Sequence, residues 1–204
     1  MSAIPRQSTL LSPEDYLAGE LKSPIKHEYL GGIVHAMAGA KNVHNDIVGN
    51  IFAALHSRLR GGKCRPYNSD TKVRLRMSSG QLRFYYPDVQ VVCDPNLPDE
   101  SFQDRPKLIV EVLSKSTRRT DHSEKLEAYT SIPTLDTYLL IDSERIEAVV
   151  YGRQGDEFMR NVFDRIDQSI ALPGINAEIS LAEIYENIVF PQPTPDEEFA
   201  EETE

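Results

Sequence analysis

Apolar residues along this chain fall into three patterns, and each predicts a different element. Over residues 41–60, Val43, Ile47, Val48, Ile51, Leu55 and Leu59 recur at helical spacing, and Gly61-Gly62 stops the helix they predict. Over residues 71–77 the period is two. Val73, Leu75 and Met77 share one face of a strand, and Lys72, Arg74 and Arg76 share the other. Ser78-Ser79-Gly80-Gln81 turns that strand back into a second one over residues 82–92. Residues 107–113, KLIVEVL, follow neither period. Apolar on both faces except at Glu111, they predict a central strand covered on both sides.

Weaker signals fill in the remainder. Ser12-Pro13-Glu14-Asp15 offers an N-cap, a proline at the first helical position and acids in the first turn, so a short helix starts there. Residues 27–37 read as a hairpin turned at Gly31-Gly32, and residues 94–106, rich in Pro and Asp, as irregular. A helix opens at Thr120 or Asp121, runs through Tyr129 and is closed by Pro133. Strands are expected at 137–142, 145–151 and 157–163, and a short helix at 180–188. This order predicts an α/β (α+β) fold, a mixed sheet flanked by helices, in one domain spanning residues 1–190. Residues 191–204 form a Pro-rich acidic tail with the composition of a disordered segment.

Composition narrows the function classes. The 204 residues are 40% apolar and 26% charged, which suits one globular domain of ordinary size. No apolar run approaches the ~20 residues of a transmembrane helix. The first residues lack a basic region followed by an apolar stretch, so neither a membrane partner nor a secretory signal is expected. Cys64 and Cys93 have no metal-type spacing and form no disulfide framework, which makes a reducing, cytoplasmic setting the default. A net charge of −10 disfavours nucleic acid, but the last nine residues alone carry six acids and no base. Between Arg58 and Arg83 lie eight bases against one acid, Asp70. Such a run is more often a solvated face, yet it permits a local phosphate-binding surface.

Three ionisable residues stand out from the folding pattern. Asp88 falls within a strand in YYPDVQVV, Glu111 within the apolar strand, and Lys125 one helical turn after Asp121. If the two strands are neighbours, Asp88 and Glu111 converge, and the following helix brings Lys125 over the same point. Paired carboxylates repel unless a cation lies between them, and hard oxygen ligands suit Mg²⁺ or Mn²⁺. From the pattern alone, an ion pair between Glu111 and Lys125 with Asp88 at a strand end accounts for these residues equally well.

The segments HEYLGGIVHAMAG, VHNDIVGNIFAAL, YYPDVQVV and PKLIVEVLSKSTRRTDHSEKLEAYTSIPTLDTYLLID resemble the Uma-type family, classed with the restriction endonucleases in the PD-(D/E)XK nuclease superfamily. The resemblance covers residues 12–190 and is most specific over 107–142. It implies a restriction-endonuclease-like fold and Mg²⁺-dependent phosphodiester cleavage, with Asp88 as the motif aspartate and Glu111 as its acidic partner. Both would be metal ligands. Glu28 and His44 match positions usually filled by the same residues, and Asp121 lies beside the site. Glu28 reads as an extra ligand or as a hairpin residue paired with a base. His44 reads as a site-lining side chain or a satisfied histidine. The superfamily lysine expected two residues after the acid is replaced by Leu113, and Lys125 takes its place from the next helix.

The expected function is that of a metal-dependent phosphodiesterase, a restriction-type DNA endonuclease with Asp88, Glu111 and Lys125 as catalytic residues. Lys72, Arg74, Arg76, Arg118 and Arg119 are the expected DNA contacts. A homodimer is compatible with the sequence. The alternative is a catalytically silent nuclease-fold protein that binds nucleic acid or a partner protein. A third possibility is a structural module whose ionic residues serve folding alone.

Overall fold

The computed structural model describes residues 10–114 and 118–190, the side chains of Arg118 and Arg119 excepted. The contacts expected of those two arginines, and the tail at 191–204, lie outside the described residues. Ser12 caps α1 (Pro13–Glu20), its hydroxyl accepting from the Asp15 amide at 3.1 Å. Gly31 and Gly32, both at positive φ, turn β1 (His27–Leu30) into β2 (Ile33–Ala36). The long α2 (Asn42–Leu59) buries Ile47, Ile51 and Leu55, the stripe its spacing predicts. There follow β3 (Arg65–Asn68), β4 (Lys72–Arg76), β5 (Leu82–Tyr85), β6 (Val89–Val92), β7 (Phe102–Gln103) and β8 (Pro106–Leu113). Next come α3 (Arg118–His122) and α4 (Glu124–Thr130), then β9 (Thr137–Asp142), β10 (Ala148–Gln154) and β11 (Glu157–Phe163). A hairpin of β12 (Ser169–Leu172) and β13 (Ala177–Ser180) leads into α5 (Leu181–Ile184).

Two predicted elements divide. Residues 82–92 are not one strand: Tyr86-Pro87-Asp88 carries the chain out of one sheet into another, because Pro87 has no amide to extend a ladder. Asp88 therefore lies one residue before β6 rather than within a strand. The helix expected through Tyr129 is broken at Ser123, whose φ of −122° and ψ of −79° are not helical. The short strands β3, β7, β12 and β13 carry too few residues for a period to show, and α5 is shorter than the expected 180–188.

A six-stranded mixed sheet, in the order β11-β10-β9-β8-β6-β3, forms the centre. Its β8 and β9 run parallel, so the chain crosses back over one face, and α3 and α4 make that crossing. Covered on both sides, β8 sends Leu108, Val110 and Val112 into a core with α2, α5 and the β12–β13 hairpin. Ile109 and Leu113 face the other core, against Ala128 and Tyr129 of α4. Glu111 shares that second face by alternation. A five-stranded sheet, β2-β1-β5-β4-β7, stands beside it and packs Tyr29, Phe84 and Phe102 against Tyr16 of α1. The expected mixed α+β architecture holds.

The cysteines need a correction. Antiparallel pairing of β3 with β6 sets Arg65 against Val92, which brings Cys64 opposite Cys93, and the two are joined by a disulfide. No spacing motif marks a pair 29 residues apart that only strand register brings together. Among the described residues, no helix is long and apolar enough to cross a membrane.

Candidate active site

Strand register brings the two carboxylates together. Val89 of β6 pairs with Val110 of β8, so the ladder continued by one residue sets Asp88 opposite Glu111 on the same face. The Val112 amide donates to Asp88 Oδ2 at 2.7 Å, and His44 Nε2, in the first turn of α2, lies 3.1 Å from Asp88 Oδ1. The Tyr86 amide donates to Glu28 Oε1 at 3.4 Å, tying β1 to the same crossing.

Glu111 is 4% exposed, and the chain itself compensates its charge. Lys125 Nζ donates to Glu111 Oε1 at 3.0 Å, and the Tyr129 hydroxyl donates to the same oxygen at 2.9 Å. Four residues apart on α4, the two donors share one helical face. The Lys125 ammonium also stands 3.4 Å from Glu28 Oε1 and 3.3 Å from Asp121 Oδ1. Four of the six residues singled out around the site, Glu28, Glu111, Asp121 and Lys125, form one ionic cluster, and Asp88 is bound to the backbone of β8 beside it. His44 joins through Asp88. Tyr129 belongs to no motif in the sequence, and its four-residue spacing from Lys125 on α4 is the one local signal of its place. The side chains of Asp88, Glu28 and His44 retain 16%, 15% and 15% exposure, so solvent reaches the cluster from their side.

Electrostatics follow from the crowding. Burial pushes the Glu111 carboxyl well above its ordinary range; Lys125 pulls it down, while Asp121, Asp88 and Glu28 push it further up. Burial alone would strip the Lys125 proton, but Glu111, Glu28 and Asp121 hold it as an ammonium. Burial and the Glu111 charge keep Tyr129 a protonated donor. For His44, burial opposes the charged ring, yet the hydrogen bond and charge of Asp88, with the charge of Asp121, raise its pKa overall. Carboxylates outnumber cations in this cluster.

That imbalance bears on a metal. Among the described residues, no three His, Cys, Asp or Glu side chains are grouped to hold an ion. A magnesium ion does not require such a cage, since it binds through one or two carboxylates and keeps several waters. Asp88 and Glu111, hard oxygen donors side by side in a region short of positive charge, fit that chemistry.

The expected DNA contacts on β4 have partners inside the protein. Lys72 is buried, with its ammonium 4.9 Å from the centroid of the Tyr86 ring. Arg74 grips Asp104 with Nε and Nη2, at 2.7 and 2.8 Å. Arg76 is exposed and donates to the Gly80 carbonyl at 2.7 Å. The polar face of β4 is therefore not an open basic strip.

A solved structure shares this fold. A crystal structure described as a putative nuclease belonging to DUF820, from Anabaena variabilis, superposes with a TM-score of 0.61. The match covers 81% of this chain and 94% of that one at 17% identity, a likeness of fold. A family model described as "Putative restriction endonuclease" (Uma2) matches residues 13–182, and the chain belongs to that family. The uncharacterized protein slr1290 of Synechocystis sp. is 33% identical over 181 residues, covering 88% of this chain and 94% of its own. A second uncharacterized Synechocystis protein, sll1609, is 31% identical over 150 residues, covering 72% and 83%.

Proposed function

We propose that this chain is a metal-dependent phosphodiesterase that cleaves DNA in the manner of a restriction-type endonuclease, at the site built on Asp88, Glu111 and Lys125. One observation carries the proposal: register sets Asp88 against Glu111 while α4 delivers an ammonium to the same carboxylate. Asp88 and Glu111 would hold Mg²⁺ or Mn²⁺, which supplies positive charge at the scissile phosphate and acidifies a nearby water. Lys125 places a fixed positive charge where negative charge develops on the phosphate, in a site already largely dry. Tyr129 holds Glu111 from behind, and the Val112 amide holds Asp88, so neither carboxylate must reorganise during reaction. His44 orients the other Asp88 oxygen, and Glu28 and Asp121 keep Lys125 charged.

A second reading also has an observation behind it. Lys125 already satisfies three carboxylates, which is what a silent nuclease-fold protein that binds nucleic acid or a partner protein would need. Single-turnover cleavage of duplex and single-stranded DNA and of RNA, with Mg²⁺ or Mn²⁺, separates the two. The nuclease predicts metal-dependent cleavage, lost by about 10²-fold or more in Lys125→Ala per folded molecule. It also predicts Mn²⁺ binding by calorimetry that Asp88→Asn and Glu111→Gln each weaken. Equal Mn²⁺ binding by wild type and both variants, with no cleavage of any substrate, would sink it.

A further inference from the structure

We propose that the C-terminal end of α2 and the edge strand β3 form a second nucleic-acid contact, an anchor for a phosphodiester backbone away from the Asp88–Glu111 pair. The inference rests on the DNA-cleaving function proposed above. It begins with how the structure distributes the basic stretch between residues 58 and 83. Arg58 is paired with Glu183, Arg74 with Asp104, and Arg83 with Glu124. Lys72 is buried and Arg76 bonds the Gly80 carbonyl. Arg60, Lys63 and Arg65 remain exposed, and no hydrogen bond or ion pair among the described residues engages their side chains.

Gly61, at φ 76°, folds the chain back from α2 toward β3, so that Arg60 and Arg65 line one concavity. Its volume is about 500 Å³, and His56 and Tyr67 line it with them. Among the described residues, no carboxylate does. Arg65 and Tyr67 fall on the same face of β3 by alternation. Guanidinium groups suit phosphate because their paired donors match its oxygens, and a half-buried aromatic ring offers a surface on which a base can stack. An acidic protein with a net charge of −10 must meet a polyanion through such local positive ground. The Cys64–Cys93 disulfide secures the floor, since Cys64 lines the concavity.

The edge itself argues against a peptide strand as occupant. β3 is the outermost strand of its sheet, and Pro66 lacks the amide an added strand would use. Position favours DNA. With strands ~4.8 Å apart and ~3.3 Å per residue, the concavity lies on the order of 15 Å from Asp88. That is roughly four to five phosphates along one strand of a duplex.

The test measures binding without cleavage. In an Asp88→Asn background with EDTA, fluorescence anisotropy of a labelled 20-base-pair duplex is followed across a salt series. Adding Arg60→Gln and Arg65→Gln should reduce the slope of log affinity against log salt by up to ~1.8, about 0.9 per lost phosphate contact. The thermal midpoint should not change, because both side chains are exposed. An Arg160→Gln control on β11 should keep the parent slope. An unchanged slope in the double variant, while wild type still cleaves DNA, overturns the anchor and leaves the nuclease. A reduced slope with no metal-dependent cleavage by wild type leaves the anchor and overturns the nuclease. Failure to bind duplex or single strands overturns both. Binding of inorganic pyrophosphate without any DNA would assign the concavity to a small phosphate ligand instead, against the proposal.

Discussion

One ammonium serves three carboxylates, and that inequality governs what single substitutions do. Removing Glu111's charge leaves Lys125 with Glu28 and Asp121, still paired on two sides. Removing Lys125 strands Glu111 at 4% exposure, with one hydroxyl donor, beside three further acids, Asp121, Asp88 and Glu28. Lys125→Met should therefore cost ~3–5 kcal/mol in urea unfolding, the scale of breaking a buried pair from one side. Glu111→Gln should cost clearly less, and similar losses from the two would refute the shared-cation arrangement. Tyr129→Phe deletes one donor to the same oxygen, and its cost of ~1–3 kcal/mol should shrink when Glu111→Gln is already present. A double-mutant cycle reads that coupling.

At the scale of elements, the site depends on crossings rather than on any one strand. Pro87 moves the chain between sheets, and the parallel β8–β9 pair forces the connection that sets α4 over Glu111. A smaller device fastens the far side of α2. In the capping box of α5, Ser180 accepts from the Glu183 amide while Glu183 accepts from the Ser180 amide, and Arg58 of α2 pairs with the same carboxylate. Arg58 and the Ser180 amide hold the Glu183 pKa down, to about 2 from an ordinary 4.5. A depressed acid stabilises the fold above its unfolded pKa, and that contribution is lost as pH falls through the folded value. Glu183→Gln should thus lower stability near neutrality and flatten the acid limb between pH 4.5 and about 2, by thermal melts against pH. An acid limb identical to wild type would show that the contact contributes nothing measurable.

For the whole molecule, the disulfide and the charge distribution set how stability and binding respond to conditions. Cys64 and Cys93, 29 residues apart, tie the edge strand β3 to β6, the strand that follows Asp88. On the loop-entropy account such a closure stabilises by ~3–4 kcal/mol. Cys64→Ser with Cys93→Ser, or wild type in dithiothreitol, should lose about that amount in urea unfolding. Indifference to reductant would mean that the strand ladder alone holds the edge. A reducing cytoplasm would favour the thiol form, so the two forms also report on the compartment.

The sequence by itself determined the helices α1 and α2, the first hairpin and the central strand β8, because each is written in local terms. Caps, glycine turns, hydrophobic period and one acid in an apolar run act within a few residues, and the resemblance of the sequence segments around them is what singles out Asp88, Glu111 and Lys125. Tertiary structure decided everything that depends on residues distant in sequence. Register alone sets Asp88 against Glu111 and Cys64 against Cys93, and no local pattern encodes a partner twenty or more residues away. The basic stretch looked uniform along the chain, yet Asp104, Glu124 and Glu183 neutralise Arg74, Arg83 and Arg58 from other elements. Glu111's compensation was likewise a question of what lies across the face of the sheet. It is answered by Lys125 and Tyr129, which become its neighbours only because parallel strands require the chain to cross back over them.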